Sequence, residues 1–234
     1  MKKIVILGLI IAIASCSSLK KLGIEPTLLE TTTALKEVLN SSAFRAVKTL
    51  RKIDENGVDG LLPPEIMPVL QSLKTVGLGK EIESIEKIVE STSKLMADES
   101  EIILEDAIKE VTFKDAVAIV IGGKNEATNV LKQAMYGSVK NRYRDKIEKE
   151  LAPTEATKYW PIAANAYNVF AKKKVGVSLP DFMAERAVDA LFLTMKKEEE
   201  EIRKDPKQLG KTVVTKVFEY YQKSQKGKGI KIGQ

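Results

Sequence analysis

The sequence predicts an all-α protein, a single multi-helix domain of about eight or nine helices behind an exported leader, on three observations. Apolar residues recur at steps of three and four along most of the chain. Small polar residues stand three positions before a carboxylate at several helix starts. Alternation at period two with β-branched runs is scarce.

The leader comes first. Lys2 and Lys3 precede an unbroken apolar stretch from Ile4 to Ala14, the charged-then-apolar order of a secretory signal. The stretch falls well short of the roughly twenty residues that a spanning helix needs. Ile13, Ala14 and Ser15 lead into Cys16, the one cysteine in the chain, and this run resembles the lipobox of bacterial lipoproteins. The resemblance implies that residues 1–15 are a signal peptide, cut just before Cys16, and that Cys16 carries the lipid. One acyl chain binds a membrane only marginally, and stable anchoring takes more than one. Ser17, where an Asp would favour inner-membrane retention, implies an outer-membrane address facing the periplasm.

Residues 16–26 form a short tether, and 27–223 the helical domain. The segment from Leu28 to Ile53 spaces Leu28, Leu35, Val38, Leu39, Ala46 and Leu50 at mostly helical intervals, and Ile82, Ile85, Ile88, Val89 and Met96 repeat the pattern. Asp98 with Glu101, Thr112 with Asp115, and Ser178 with Asp181 have the spacing of a helix cap. Asp205 before Pro206 matches a cap and first-turn pair. Breaks fall at residues 55–65, at Gly77 and Gly79, at Gly122-Gly123, at Ala152-Pro153 and at 172–180, none long enough for an interdomain linker. Residues 224–234, with lysines and no acid, are expected to be a disordered basic tail.

Charge and composition narrow the chemistry. Removing Lys2 and Lys3 from 38 basic groups leaves 36 against 32 acidic, a net +4 with the signs interleaved, which argues against nucleic acid as a partner. The chain has no histidine, so the commonest general base and most zinc sites are missing. No metal site and no cofactor are expected. Asp54, Asn56, Asp59 and Glu65 echo a calcium loop, but the glycine is misplaced and Val58 stands where an oxygen ligand belongs. Residues 118–131 suggest a phosphate-cradling glycine turn, yet lack the required spacing. They are read as two helices joined at Gly122-Gly123, with Asn125 as a cap for the second.

The segment 178–206 carries the most information. Leu179, Met183, Ala187, Ala190, Leu191 and Met195 share one face of a helix, as a core helix requires. A second line runs through Glu185, Asp189, Phe192, Lys196, Glu199 and Arg203, with Glu199 and Arg203 in the favourable order for an ion pair one turn apart. Phe192 is out of place on a solvated stripe. Internal packing with Phe192 as a plug is favoured over a surface kept for a partner.

Two stretches together resemble the bacterial lipoprotein family known as domain of unknown function 4197. The matching residues are Asp106-Ala107-Ile108, Asp115-Ala116, Gly122-Gly123, Ala127-Thr128, Asp189, Leu191-Phe192, Glu198 to Glu200, Ile202-Arg203 and Asp205-Pro206. Ala190 replaces a Gly of the family pattern, Ala184 a Thr, and the loop at 55–65 is shorter. The resemblance implies an exported, helical, usually lipid-anchored protein and brings no activity. It favours Asp189, Phe192 and Arg203 and the Gly122-Gly123 turn as interaction or ligand residues.

These readings lead to one expectation and two alternatives. The expectation is a non-catalytic envelope lipoprotein held to the membrane through acylated Cys16, its domain engaging an envelope protein or lipid. The first alternative is an enzyme on envelope glycans or lipids using Asp106, Asp115 or Glu199. The second is a lipid carrier with an apolar cavity.

Overall fold

A computed structural model describes residues 24–54, 62 and 66–227. Helix α1 (Leu28–Asp54) starts where a capping box is written into the sequence. The Thr27 hydroxyl accepts from the Glu30 amide at 3.2 Å, and the Glu30 carboxylate accepts from the Thr27 amide at 2.9 Å. Of the periodic residues, Leu35, Val38, Leu39 and Ala46 lie buried along one face and Leu50 is partly buried, whereas Leu28, in the first turn, is exposed.

The chain continues as α2 (Met67–Leu73), a short π-helical stretch (Lys74–Leu78) and α3 (Gly79–Glu110). Gly77 takes φ of +100°, a backbone conformation that a side chain would strain. The rod therefore bends there without ending. Then follow α4 (Ala116–Ile121), α5 (Glu126–Leu151), α6 (Ala156–Phe170) and α7 (Leu179–Lys204). A 3₁₀ turn (Pro206–Leu209) leads to α8 (Thr212–Gly227). Counting the bent α2–α3 run once, the described residues hold seven helical rods and no strand, somewhat fewer than the eight or nine expected.

Three local expectations change. Asp98 caps nothing: it lies inside α3 and pairs with Arg51 at 3.1 Å, because the apolar period runs unbroken through it. The cap of α4 is Asp115, whose carboxylate accepts from the Ala118 amide at 2.9 Å, with Thr112 in the extended stretch before it. Helix α8 runs past residue 223 to Gly227. Ser178 and Asp205 do serve as caps, the latter of the 3₁₀ turn.

Cross-helix pairs fix the directions. Helix α5 runs antiparallel to α7, through Lys132 with Asp189 and Lys140 with Glu185. It is also antiparallel to α3, through Arg142 with Asp106 and Lys146 with Glu99. Helix α1 is antiparallel to α3, through Lys36 with the Lys109 carbonyl and Arg51 with Glu101. The helices enclose one continuous core from Ala34 to Tyr221, with Trp160, Phe192, Phe218 and Tyr143 among its largest fully buried side chains. No helix among the described residues is long and apolar enough to cross a membrane.

Candidate functional site: the bracket under the glycine turn

The second stripe of α7 turns inward at Phe192, Glu199 and Arg203, while Glu185 and Asp189 stay about half-exposed. Glu199 is fully buried, and its carboxylate accepts from the Ala127 amide at 3.1 Å and from the Thr128 amide at 2.7 Å. The Thr128 hydroxyl donates to it at 2.5 Å. These amides belong to the first turn of α5, which has no partners within its own helix. Asn125 stands at the cap position but makes no side-chain cap bond, so α5 is capped by a residue some seventy positions away.

Arg203 completes the device from the other side. Its Nε donates to Glu199 at 2.7 Å, while Nη1 and Nη2 donate to the carbonyls of Val120 at 2.8 Å and Ile119 at 3.0 Å, at the end of α4. Its guanidinium stacks over the Phe218 ring at 5.2 Å, and its own carbonyl accepts from Gln222. The anion thus meets the positive end of one helix and the cation the negative end of another. Between the two ends lies the Gly122-Gly123 turn. A side chain on Gly122 would bring its Cβ to 2.9 Å from the Ala118 carbonyl oxygen and 3.1 Å from Glu126 Cγ. Only glycine fits there.

Above this bracket opens a cavity of about 200 Å³. Val120, Ile121, Phe218 and Tyr221 give it apolar walls, and Gly122 and Gly123 form one edge. The Lys124 and Lys204 ammonium groups beside it are both paired with Glu200, at 3.5 and 3.4 Å. Gln225 also lines it, and its amide oxygen is buried with no hydrogen-bond donor among the described residues.

A family model described as protein of unknown function DUF4197 matches residues 26–219. The chain belongs to this family. No curated protein and no solved structure matches it. The DUF4197 match spans the bracket from Ile119 on α4 to Phe218 on α8.

The remaining candidates are placed apart from the bracket. Asp189 bonds Lys132 at 2.9 Å on the half-exposed side of α7. Phe192 is fully buried and stacks on Tyr136 at 6.4 Å, as its role of plug requires. Burial, and then the negative charges of Asp189 and Glu185, push the Tyr136 phenol up to about 12. Asp106 pairs with Arg142 at 2.9 Å on α3, and Asp115 is spent capping α4. Asp106, Asp115 and Glu199 therefore sit in three separate settings with three different sets of partners. Cys16 and the loop at 55–61 lie outside the described residues. Sequence reading noted Thr128 only within a family-matching pair and missed Val120, Phe218 and Gln225, since nothing local in their segments marks a contact with α7 or with the cavity.

Proposed function

We propose that this DUF4197 protein is a lipid-anchored, periplasm-facing envelope lipoprotein that binds its ligand without transforming it, with the cavity beside Gly122-Gly123 as the binding site. The observation that carries the reading is the cavity itself. It is apolar-walled, rests on a rigid buried bracket and contains one unsatisfied acceptor, the Gln225 amide oxygen, which suits an apolar group bearing a hydrogen-bond donor. The groups around it with catalytic chemistry are already engaged: every nitrogen of the Arg203 guanidinium is bonded, and Glu199 receives four hydrogen bonds.

The lipobox at Ile13 to Cys16 supports the anchor. Tyr221, which lines the cavity, lies beside Thr31 on the first turn of α1 and close to Glu25. In this reading the tether enters the domain on the side of the cavity.

Two measurements test the reading. Metabolic labelling with a fatty acid, followed by cell fractionation, is expected to show a labelled membrane protein, and Cys16→Ala an unlabelled one. A neutral apolar dye with an amine donor, such as N-phenylnaphthylamine, should bind the purified protein and be excluded by Ile121→Trp, which fills the cavity. A soluble, unlabelled wild type sinks the anchor, and equal dye binding by the variant sinks the site.

A further inference from the structure

The connection between α6 and α7 presents apolar side chains to solvent on a well-tied loop. Val169 is 83% exposed, Phe170 65% and Val177 51%, while Ile162, two turns back along α6, is 45% exposed. These exposures are not the result of a loose segment. The Asn168 side chain donates to the Val175 carbonyl at 2.9 Å and accepts from the Val175 amide at 2.8 Å. The Trp160 indole, stacked on Phe182 at 4.9 Å, donates to the Gly176 carbonyl at 2.9 Å. The fold thus holds the loop in shape and leaves its greasy tips outside.

Between those tips stand Lys172, Lys173 and Lys174, all exposed. Lys174 donates to the Asn168 carbonyl, which leaves its charge uncompensated. Lys172 and Lys173 have no ion-pair partner among the described residues. Three carboxylates of α7 border the same depression, Asp181, Glu185 and Asp189. Glu185 and Asp189 are paired with Lys140 and Lys132 of α5, and Asp181 shares the depression with Arg186 of α7. The loop is left with three free positive charges set among exposed aliphatic and aromatic groups.

We infer that the α6–α7 loop is a docking surface for an anionic lipid bilayer, with Val169, Phe170 and Val177 entering the interface and Lys172, Lys173 and Lys174 meeting lipid phosphates. Lysines near an anionic leaflet each add on the order of 1 kcal/mol, and the apolar tips add partition energy. The surface is distinct from the cavity proposed above and does not depend on the anchor. The antiparallel α1 and α7 put this loop at the end of the bundle remote from the start of α1.

The test uses the full chain with Cys16→Ser, so that an introduced cysteine is the sole thiol. An environment-sensitive fluorophore is placed at Val177→Cys or, as a control, at Phe44→Cys on α1, a helix that is not among the main neighbours of α6. Vesicles of phosphatidylcholine with or without phosphatidylglycerol carry a lipid-borne nitroxide quencher. On anionic vesicles, quenching at 177 should exceed that at 44 several-fold. K172E/K173E and, separately, F170S should bring it down to the control level. Equal quenching at both positions, quenching at 177 that survives K172E/K173E, or quenching that does not depend on phosphatidylglycerol would overturn the inference. Leader insertion alone would hold the start of α1 at the bilayer, nearer to position 44 than to 177, and cannot produce the expected difference.

Discussion

Glu199 and Arg203, one turn apart on α7 and 2.7 Å from each other, terminate two different helices: the carboxylate caps the start of α5 and the guanidinium the end of α4. The bracket converts an intrahelical ion pair into a tertiary clamp. An exposed pair at this spacing contributes only a few tenths of a kcal/mol. Here the side chains are 0% and 9% exposed, so salt screens them little and each depends on the other.

Arg203→Ala is expected to cost about 3–5 kcal/mol, because it leaves the Glu199 carboxylate buried with its charge uncompensated. Glu199→Gln keeps an acceptor for α5 and should cost less. In a double-mutant cycle read by urea unfolding, Glu199→Gln with Arg203→Met should be clearly less destabilised than the sum of the singles. Strict additivity would mean that the two residues act independently.

The glycine turn gives a second ordering. Gly122→Ala forces a contact of 2.9 Å with the Ala118 carbonyl, a backbone atom that cannot swing away, and should cost about 1–3 kcal/mol. Gly123→Ala meets only Glu126 Oε2, at 3.6 Å, and should stay within about 1 kcal/mol. Thermal unfolding of the two variants decides it, and a reversed order would show that the turn is not held as described.

Much of this architecture could be read from the sequence, and the part that could not has a physical reason. Helical periodicity placed α1, α3 and α7, and glycine and proline placed the breaks between α4 and α5 and between α5 and α6, because these signals are local. Asp98 misled for the same reason: a cap motif inside a continuing apolar period is overridden by the burial of Met96, Ser100 and Ile103 around it. The pairing of Glu199 with Arg203 was visible at its i,i+4 spacing. Their targets, the amides of Ala127 and Thr128 and the carbonyls of Ile119 and Val120, were not, since they depend on how α7 crosses the two helix ends. The fully buried Glu199 looked like part of a solvated acidic run, and only tertiary packing separates it from Glu198, Glu200 and Glu201.

Tyr136 makes the protein sensitive to alkali. Its phenol has a reference value of 10.0 and is pushed up to about 12 in the fold, first by burial and then by Asp189 and Glu185. Below pH 10 the phenol is protonated in both folded and unfolded chains and favours neither. Between 10 and 12 the unfolded chain releases the proton and the folded one retains it, so stability falls as pH rises. Tyr136→Phe removes this contribution. Its stability, followed by urea unfolding across that window, should decline less steeply than that of the wild type.

The buried Ser100–Tyr143 hydrogen bond should respond asymmetrically to the loss of each partner. The Ser100 hydroxyl also bonds the Met96 carbonyl, at 2.5 Å, whereas the Tyr143 hydroxyl has Ser100 as its hydrogen-bond partner. Tyr143→Phe therefore leaves Ser100 satisfied and should cost about 0.5–1.5 kcal/mol, the net worth of an ordinary hydrogen bond. Ser100→Ala strands a phenol in the core and should cost about 1–3 kcal/mol, although it deletes the smaller group. The phenol is already pushed up by burial, so ionisation offers it no relief near neutral pH. Combining both changes removes the stranded group, and the double variant should be more stable than Ser100→Ala alone. Equilibrium unfolding of the three variants tests this, and a double variant weaker than either single one would mean that shape, not the hydrogen bond, is what the site requires.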